Sequence, residues 1–291
     1  MTWRRTMRAA DAALLIKIPR NKTVLMQLLQ LLVFRRHYWW CGGVMAPEKL
    51  GAFVSKMAVR YPIARIARGR AYDRTRGLAA MHFIAYPLPN GLVAWWLLSD
   101  DGKGGLNDPA TPDAHVAKHA MAADGHITFT DYVLHYGHKK SPRHLPDKKT
   151  GRDKIVLKDV STWTWKLSDM AFNETKASIE QAAVNFEYGA EGAHGGRPWG
   201  VLGILVCQRS RPLFSGVRNQ VIDLHRHADS HWGRVKKKWQ GQHSAECSRH
   251  VSNAGELRTL KEIMSHHLPK MVRIAVYGDT PQTVGDLVRN A

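Results

Sequence analysis

The chain is poor in cysteine and in acidic residues, and it contains no long apolar run. The three cysteines, Cys41, Cys207 and Cys247, form no Cys-x-x-Cys pair and no even disulfide framework, so a reducing cytoplasmic location is expected. The apolar stretch at residues 24–34 is 11 residues long and includes two glutamines, which is too short to cross a bilayer. No membrane partner is therefore expected. No Walker A loop, dinucleotide fingerprint or Ser-His-Asp signature occurs, and no cofactor is predicted.

The shortage of acidic residues leaves a strongly basic protein. Lysine and arginine number 43 against 24 aspartate and glutamate residues, which gives a net charge of +19 and an isoelectric point near 10.1. Such an excess is typical of nucleic-acid binders, because each phosphate contact releases counterions. The charge is densest in the stretch RIARGRAYDRTRG, where only Asp73 opposes five arginines. These predicted phosphate contacts are Arg65, Arg68, Arg70, Arg74 and Arg76.

Periodicity and turn residues predict an α+β fold of two ferredoxin-like, RRM-like halves. Residues 1–36 are expected to form N-terminal helices, and residues 37–138 follow the order β-α-β-β-α-β of the ferredoxin-like motif. Residues 139–160 are predicted to be a basic linker. Residues 161–291 are expected to form the second half, in which a basic helical insertion at about 209–270 precedes the last strand. Within this scheme, residues 108–124 are a predicted helix, and residues 199–208 and 271–279 are predicted strands.

The expected insertion carries many cations and histidines. Residues 209–270 hold 12 lysines and arginines against 5 acidic residues, and 7 of the 16 histidines. Three of its side chains, His227, His231 and Arg234, fall on one face of a helix. Cations interleaved with aromatics suit a groove that neutralises phosphates and stacks bases, and the alternative is a solvated helical arm. With the linker, this region supplies the predicted RNA contacts Lys139, Lys140, Arg226, His231, Lys236, Lys237, Lys238 and Trp239.

The same histidines allow two metal-dependent interpretations. His227 and His231 have the spacing of two zinc ligands on one helix, but Ala228 stands where a general-base glutamate would follow. No third ligand is evident from the sequence, so no metal is predicted. The pair His225 and His227 resembles the paired histidines of rolling-circle nickases, which project from a strand and work with a tyrosine, and Tyr277 is the only later tyrosine. A DNA-nicking replication or mobilisation protein is therefore one alternative.

A metal-free reaction is predicted at the entrance to the first strand, in FRRHYWW. A histidine with a pKa near neutral can take the proton from a ribose 2′-hydroxyl, and an arginine can stabilise the pentacoordinate phosphorane. Arg36 and His37 are predicted to act from this side, and His227 and Arg234 from the inserted helix on the other side of the RNA. The alternative for His37 is a structural histidine with a backbone partner.

The chain resembles the RAMP-type CRISPR repeat-RNA endonucleases, in particular the processing endonucleases of type IV systems. The resemblance covers about residues 37–290 and rests on the ferredoxin-like first unit, the glycine-rich stretch GAEGAHGGRPWG and the basic helical insertion. It implies a role in antiviral defence, in which the protein grips a stem-loop CRISPR RNA and cleaves it without metal. Other subunits of a ribonucleoprotein complex are further partners to consider. A non-catalytic RNA- or DNA-binding subunit of such a complex is the second alternative.

Overall fold

The fold is α+β with antiparallel sheets, as predicted. The computed structural model describes residues 9–146, 153–185, 200–242 and 268–290, and at 139–146, 153–158, 236 and 239–242 it describes the backbone alone. The helices are α1 (Ala9–Leu14), α2 (Lys22–Phe34), α3 (Pro47–Arg60), α4 (Ala67–Thr75), α5 (Asp169–Val184), α6 (Gly200–Arg209), α7 (Ser215–Gln242) and α8 (Val284–Arg289). The strands are β1 (Trp39–Met45), β2 (Met81–Pro87), β3 (Val93–Ser99), β4 (Lys118–His119), β5 (Thr128–Phe129), β6 (Tyr132–Pro146) and β7 (Asp153–Leu167). In these ranges, no helix has the length and apolar character needed to cross a membrane.

A four-stranded sheet forms the centre of the first unit, which covers the described residues up to 127, those within 135–163 and those from 273 onward. Its strand order is β2-β3-β1-β4, and every neighbouring pair is antiparallel. The β2–β3 turn contains Gly91 at φ +79°, the left-handed conformation that glycine adopts without strain. Pro47 occupies the first turn of α3, where its missing N–H has no helical partner to lose.

The segment at residues 108–124 does not form the predicted helix. It contains only a short 3-10 turn at Ala114–Val116 and the two-residue strand β4. Pro109 and Pro112 lack backbone N–H donors, and the Asp108 carboxylate accepts hydrogen bonds from two backbone N–H groups of its own loop. These local bonds favour a loop over a helix. The first half therefore lacks the second helix of the predicted order, and its ferredoxin-like arrangement is not confirmed.

Both faces of the four-stranded sheet are buried. Cys41, Leu97 and Phe83 lie side by side on one face, in the core that α1, α3 and α8 complete. Trp40 and Leu98 are neighbours on the other face, and both are buried as well. RNA-recognition domains stack bases on aromatic side chains of an open sheet. The centre of this sheet is closed on both sides, so it offers no open face of this kind.

The last described segment joins the first unit without forming the predicted strand at 271–279. The Ile274 backbone N–H donates to the side-chain oxygen of Gln27 at 3.2 Å, so a polar side chain of α2 takes the place of a neighbouring strand. Further along, Lys17 and Thr283 form an isolated antiparallel bridge. This bridge brings α8 against α1 and α3 in the core.

Three helices, α5, α6 and α7, form the core of the second unit, which covers 128–134 and the described residues within 164–272. The hydroxyl of Ser168 caps α5 by accepting a hydrogen bond from the Ala171 N–H. The predicted strand at 199–208 is helix α6 instead. An unbroken apolar run does not distinguish a buried strand from a buried helix. The second ferredoxin-like half is therefore not confirmed.

Helix α7 contributes to this core, although the sequence predicts an inserted arm there. Five of its apolar residues recur at helical spacing and are buried: Val217, Val221, Leu224, Ala228 and Trp232. The last three pack with α5 and α6. The exposed side of α7 carries basic residues, so one helix supplies both core burial and positive charge.

Residues 139–146 and 153–160 of the predicted basic linker lie in strands β6 and β7, and the six residues between them are outside the described part. Strands β6 and β7 are hydrogen-bonded neighbours in a three-stranded sheet of order β5-β6-β7. The alternating stretch STWTWKL forms the end of β7. The basic residues at 139–146 and 153–160 are therefore carried on two long strands rather than on an irregular connection.

Replacing Leu224 tests whether α7 is a core helix. Leu224 is fully buried with α5 and α6, whereas Ile222 on the same helix is 36% exposed. We expect Leu224→Ala to lower the free energy of unfolding by about 2–5 kcal/mol because it leaves a cavity, and Ile222→Ala by less than about 1 kcal/mol. Urea unfolding followed by circular dichroism measures both. Equally small losses would mean that α7 is a detachable arm.

Candidate functional site

Helix α2 ends in a Schellman turn that carries Arg36. The φ angle of Arg36 is +70°, in the left-handed region that favours glycine. Its backbone N–H donates to the carbonyl of Val33, and the N–H of His37 donates to the carbonyl of Leu32. The side chain of Arg36 is exposed. The turn therefore fixes His37 against the end of α2 at the expense of backbone strain at Arg36.

His37 is buried, with only 1% of its surface exposed, and both ring nitrogens have partners. Because a carbonyl only accepts, the contact of Nδ1 with the Leu32 carbonyl at 3.0 Å places the proton on Nδ1. Nε2 then accepts from Nη2 of Arg74 at 3.1 Å. Burial lowers the pKa of His37, despite the opposing effects of the Leu32 hydrogen bond and the Asp100 carboxylate. A neutral His37 thus orients Arg74.

The carboxylate of Asp100 holds the same arginine from the other side. Nε of Arg74 lies 2.5 Å from Oδ2 of Asp100. The other carboxylate oxygen, Oδ1, accepts from the backbone N–H of Ala80 at 2.6 Å. Asp100 follows β3 and Ala80 precedes β2, so the carboxylate joins the ends of two strands to α4. The orientation of Arg74 is consequently set by two side chains.

His82 faces His37 from β2. Their ring centroids are 4.7 Å apart, with the rings at 82° to each other. Burial, followed by the electrostatic effects of Arg70, His37, Arg74 and Arg35, lowers the pKa of His82 to about 2. His82 is therefore neutral at physiological pH. Four basic groups converge on this imidazole.

Arg70 is a half-buried guanidinium without a carboxylate partner among the described residues. Its Nη1 donates to the carbonyl oxygen of Arg65. Burial lowers the pKa of Arg70, and the charge of Arg74 on the next helical turn lowers it further, while Tyr277 raises it. Burial also raises the pKa of the Tyr277 phenol, which stays protonated at neutral pH. A desolvated cation beside a second cation is destabilised, and an anion placed there would stabilise it.

Carboxylates neutralise two of the five arginines predicted to contact phosphate. Nε of Arg65 lies 3.3 Å from Oδ2 of the buried Asp73, and Arg74 is paired with Asp100 as described. In the part of the chain that the structure describes, no acidic partner is found for Arg68, Arg70 and Arg76. We call the group formed by His37, Arg70, Arg74, His82 and Asp100 the arginine–histidine site.

The predicted residues of α7 lie in the second unit, around a different carboxylate. Nε2 of His227 is 2.8 Å from Oε1 of Glu180 on α5, and the His227 ring stacks on His231 with centroids 5.9 Å apart. Nη2 of Arg234 lies 3.1 Å from Nδ1 of His231. His227, His231 and Arg234 thus share one helix face, as their spacing indicates. Glu180 was not predicted, because the pairing of α5 with α7 has no local signal in the sequence.

His225 does not face the same way as His227. Residues two apart on an α-helix point about 200° from each other. His225 is buried, and burial, with the charge of Arg209, lowers its pKa to about 4. The paired histidines of the nickase alternative therefore do not converge on one metal from this helix.

The remaining predicted RNA contacts are exposed or lie outside the described residues. Arg226 forms a solvent-exposed ion pair with Asp223 at 3.3 Å, and Lys237 and Lys238 are exposed on α7. The side chains of Lys139, Lys140, Lys236 and Trp239, together with the glycine-rich stretch at 189–199, lie outside the described part.

The arginine–histidine site is suited to hold a phosphate next to a neutral imidazole. Sequence reasoning identified His37, Arg70 and Arg74 but missed His82 and Asp100. A signal for His82 existed: strand alternation places it on the same sheet face as Trp40 and Leu98, where a polar residue is unusual. For Asp100, the position directly after an apolar strand gave no indication that α4 would lie against it.

Arg36→Gly tests the strain in the Schellman turn. Glycine adopts a positive φ without a Cβ penalty, which for other L-residues is roughly 1–2 kcal/mol. We expect Arg36→Gly to raise the free energy of unfolding by about 1 kcal/mol, and Arg36→Ala to give no such gain because alanine keeps the Cβ. Thermal unfolding of the two variants measures the difference. Equal stabilities would show that the turn is not left-handed at this residue.

His82 makes the stability of the folded chain depend on pH. The folded state keeps His82 neutral down to a pKa of about 2, whereas the unfolded chain takes a proton near pH 6.5. The unfolded state thus binds the extra proton, so the free energy of unfolding falls below pH 6.5, by up to about 1.4 kcal/mol per pH unit from this residue. The free energy of unfolding, measured by urea at several pH values, should depend less steeply on pH between 6.5 and 5 in His82→Gln than in the wild type. His37 and His225, whose pKa values are also lowered, account for the pH dependence that remains. An unchanged slope would mean that His82 is protonated when folded.

Comparisons of the chain with family models, with curated proteins and with solved structures give no match. A function for this protein therefore has to follow from the charges, burial and hydrogen bonds of its own residues.

Proposed function

We propose that the protein binds RNA by holding a backbone phosphate in the arginine–histidine site, and that it cleaves this RNA without a metal. The observation that carries the proposal is Arg70, which is half-buried, lacks a carboxylate partner among the described residues and lies beside Arg74. A buried cation without a counter-charge is strongly unfavourable. A bound phosphate would supply that charge and would offset the repulsion between the two arginines.

Arg74 is prepared for such a ligand before the ligand arrives. Asp100 holds its Nε and His37 holds its Nη2, so the guanidinium plane is fixed while its other donors stay free for an anion. Guanidinium groups match the oxygens of a phosphate through parallel charge-assisted hydrogen bonds. Because Arg74 is already oriented, little side-chain entropy is lost on binding.

A polyanion fits the rest of the chain better than a single phosphate ion does. The net charge of +19 far exceeds what one phosphate neutralises, and Arg68, Arg76, Lys237 and Lys238 are exposed cations beyond the site. Such cations position a nucleic-acid backbone rather than read its sequence.

The strand order β2-β3-β1-β4 supports relating the first unit to the ferredoxin-like fold, with a loop in place of the helix before β4. On the resemblance to CRISPR repeat-RNA endonucleases, the proposed ligand is a cytoplasmic stem-loop RNA, held alone or with partner subunits.

In the proposed reaction, the ribose 2′-oxygen attacks the adjacent phosphorus and gives its proton to a base. The P–O5′ bond breaks, and the 5′-oxygen takes a proton from an acid, which leaves a 2′,3′-cyclic phosphate. Arg70 and Arg74 stabilise the negative charge of the phosphorane. We assign the base to His82 rather than to His37, because His37 is buried with both nitrogens engaged. Tyr277, which keeps its proton at neutral pH and interacts electrostatically with Arg70, is the candidate acid.

The substrate itself would make His82 a competent base. With a pKa of about 2, the free imidazole is a weak proton acceptor. A phosphate beside Arg70 and Arg74 would counter two of the positive charges that lower this pKa and would move it back toward the usual range. The same low pKa favours the second candidate function, a non-catalytic RNA-binding subunit in which His82 only packs against His37.

A pool of labelled RNA hairpins with randomised loops, incubated with the full chain in EDTA, tests the proposal. We expect binding that weakens steeply with salt, by roughly a thousandfold between 50 and 200 mM, and cleavage to a 2′,3′-cyclic phosphate. Arg70→Gln should weaken binding by about ten- to a hundredfold, because a charge-assisted contact from a desolvated group is lost. Arg68→Gln, an exposed arginine on the same helix, should weaken binding only a few-fold.

His82→Gln separates the two candidate functions. We expect it to slow single-turnover cleavage by about a hundredfold or more with little change in affinity. Binding without cleavage by the unmodified chain identifies the non-catalytic subunit. Cleavage that EDTA abolishes rejects the metal-free mechanism, and equal affinities of Arg70→Gln and Arg68→Gln reject the arginine–histidine site as the phosphate anchor. The all-deoxy version of the hairpin pool, which lacks the attacking hydroxyl, should remain intact.

A further inference from the structure

The packing of α5 against α7 brings three potential metal ligands together in the second unit. Glu180, His227 and His231 are each partly buried, and one ligand atom from each lies within 4.8 Å of the others. The histidines are one helical turn apart on α7, and the glutamate comes from α5. The cluster thus contains the third ligand that the spacing of the two histidines alone does not reveal.

Two imidazole nitrogens of this cluster have no hydrogen-bond partner among the described residues. Nε2 of His227 and Nε2 of His231 are both buried from solvent and unpartnered. Oε1 of Glu180 approaches Nε2 of His227 to 2.8 Å, but this contact lacks the geometry of a hydrogen bond. Unpartnered buried polar atoms are rare in folded proteins, and one accepted reason for them is a missing ion. Here two such atoms lie beside a carboxylate.

We propose that Glu180, His227 and His231 form a binding site for a divalent transition-metal ion, with Zn²⁺ as the best match. Two imidazoles and one carboxylate are a common ligand set for zinc, and nitrogen ligands disfavour Mg²⁺ and Ca²⁺. Metal–ligand bonds of about 2.1 Å in a tetrahedron separate the ligand atoms by about 3.4 Å. This separation is longer than the 2.8 Å between His227 and Glu180 and shorter than the 4.8 Å within which all three ligand atoms lie. Small side-chain rotations are therefore sufficient. Water would occupy the fourth position.

Arg234 is the competitor for this site. Its Nη2 lies 3.1 Å from Nδ1 of His231, where an arginine can only donate, so the proton of a neutral His231 resides on Nε2. Binding of a metal at Nε2 moves that proton to Nδ1, and Arg234 has to turn away. Removing Arg234 should therefore tighten metal binding several-fold. If these residues only packed against one another, removing Arg234 would not be expected to tighten metal binding.

The test uses the full chain without a histidine tag, stripped of metal and titrated with ZnCl2 by calorimetry. We expect one Zn²⁺ ion to bind tightly to each chain. The unfolding temperature should rise by several degrees, because the ion bridges two helices. Glu180→Gln and His231→Ala should each weaken the tight site by about a hundredfold and remove the thermal shift. The matched controls are Glu174→Gln, an exposed glutamate on α5, and His115→Ala, an exposed histidine of the first unit.

Co²⁺ provides a spectroscopic readout on the same protein. Visible absorption bands of a four-coordinate ion should appear with the wild-type chain and the two controls, and be lost with Glu180→Gln and His231→Ala. If no tight equivalent is found, or if the two ligand variants bind zinc as tightly as the controls, the three residues form only an ion pair and the proposal is rejected. RNA is absent from these measurements, so their outcome is independent of the function proposed above.

Discussion

The carboxylate of Asp100 is the contact on which the first unit depends most. One oxygen accepts from the backbone of Ala80 at the start of β2, and the other holds Arg74 of α4, which in turn donates to His37 at the end of α2. A single anion therefore connects two strands and two helices. Without it, Arg74 would be a fourth arginine without an acidic partner, one helical turn from Arg70, and its guanidinium would be oriented by His37 alone.

Most elements with strong local signals were predictable, and the exceptions share a physical cause. The caps at Asn21 and Ser168 and the turn at Gly91 are set by neighbouring residues in the sequence. The run at 199–208 is apolar throughout, so its length and composition fit a strand as well as the helix it forms. The sequence of residues 271–279 predicts a strand, but this segment pairs with no strand in the described ranges, and its hydrogen bonds go to Gln27 and Arg20.

The candidate sites were predictable only in part because charge density is visible in a sequence and counter-charges are not. The five arginines at 65–76 were evident, yet which of them remain uncompensated depends on Asp100, brought from the end of β3 by the fold. Likewise, the spacing of His227 and His231 was evident, whereas Glu180 comes from another helix. Histidines thus lie in two different environments: burial and neighbouring arginines keep His82 neutral, whereas His227 lies next to the carboxylate of Glu180.

The bridge between Lys17 and Thr283 joins segments that are synthesised far apart in time, which affects the order in which the two units fold. The core of the first unit contains both Ala13 and Val284, so it cannot be completed until the ribosome has synthesised the residues around Val284. The second unit lies between them in sequence and is free to fold earlier. At ribosomal speeds of about 5–20 residues per second, the partly formed first core waits roughly ten seconds or more for its last helix. During that interval its apolar face is open to chaperones and to other nascent chains.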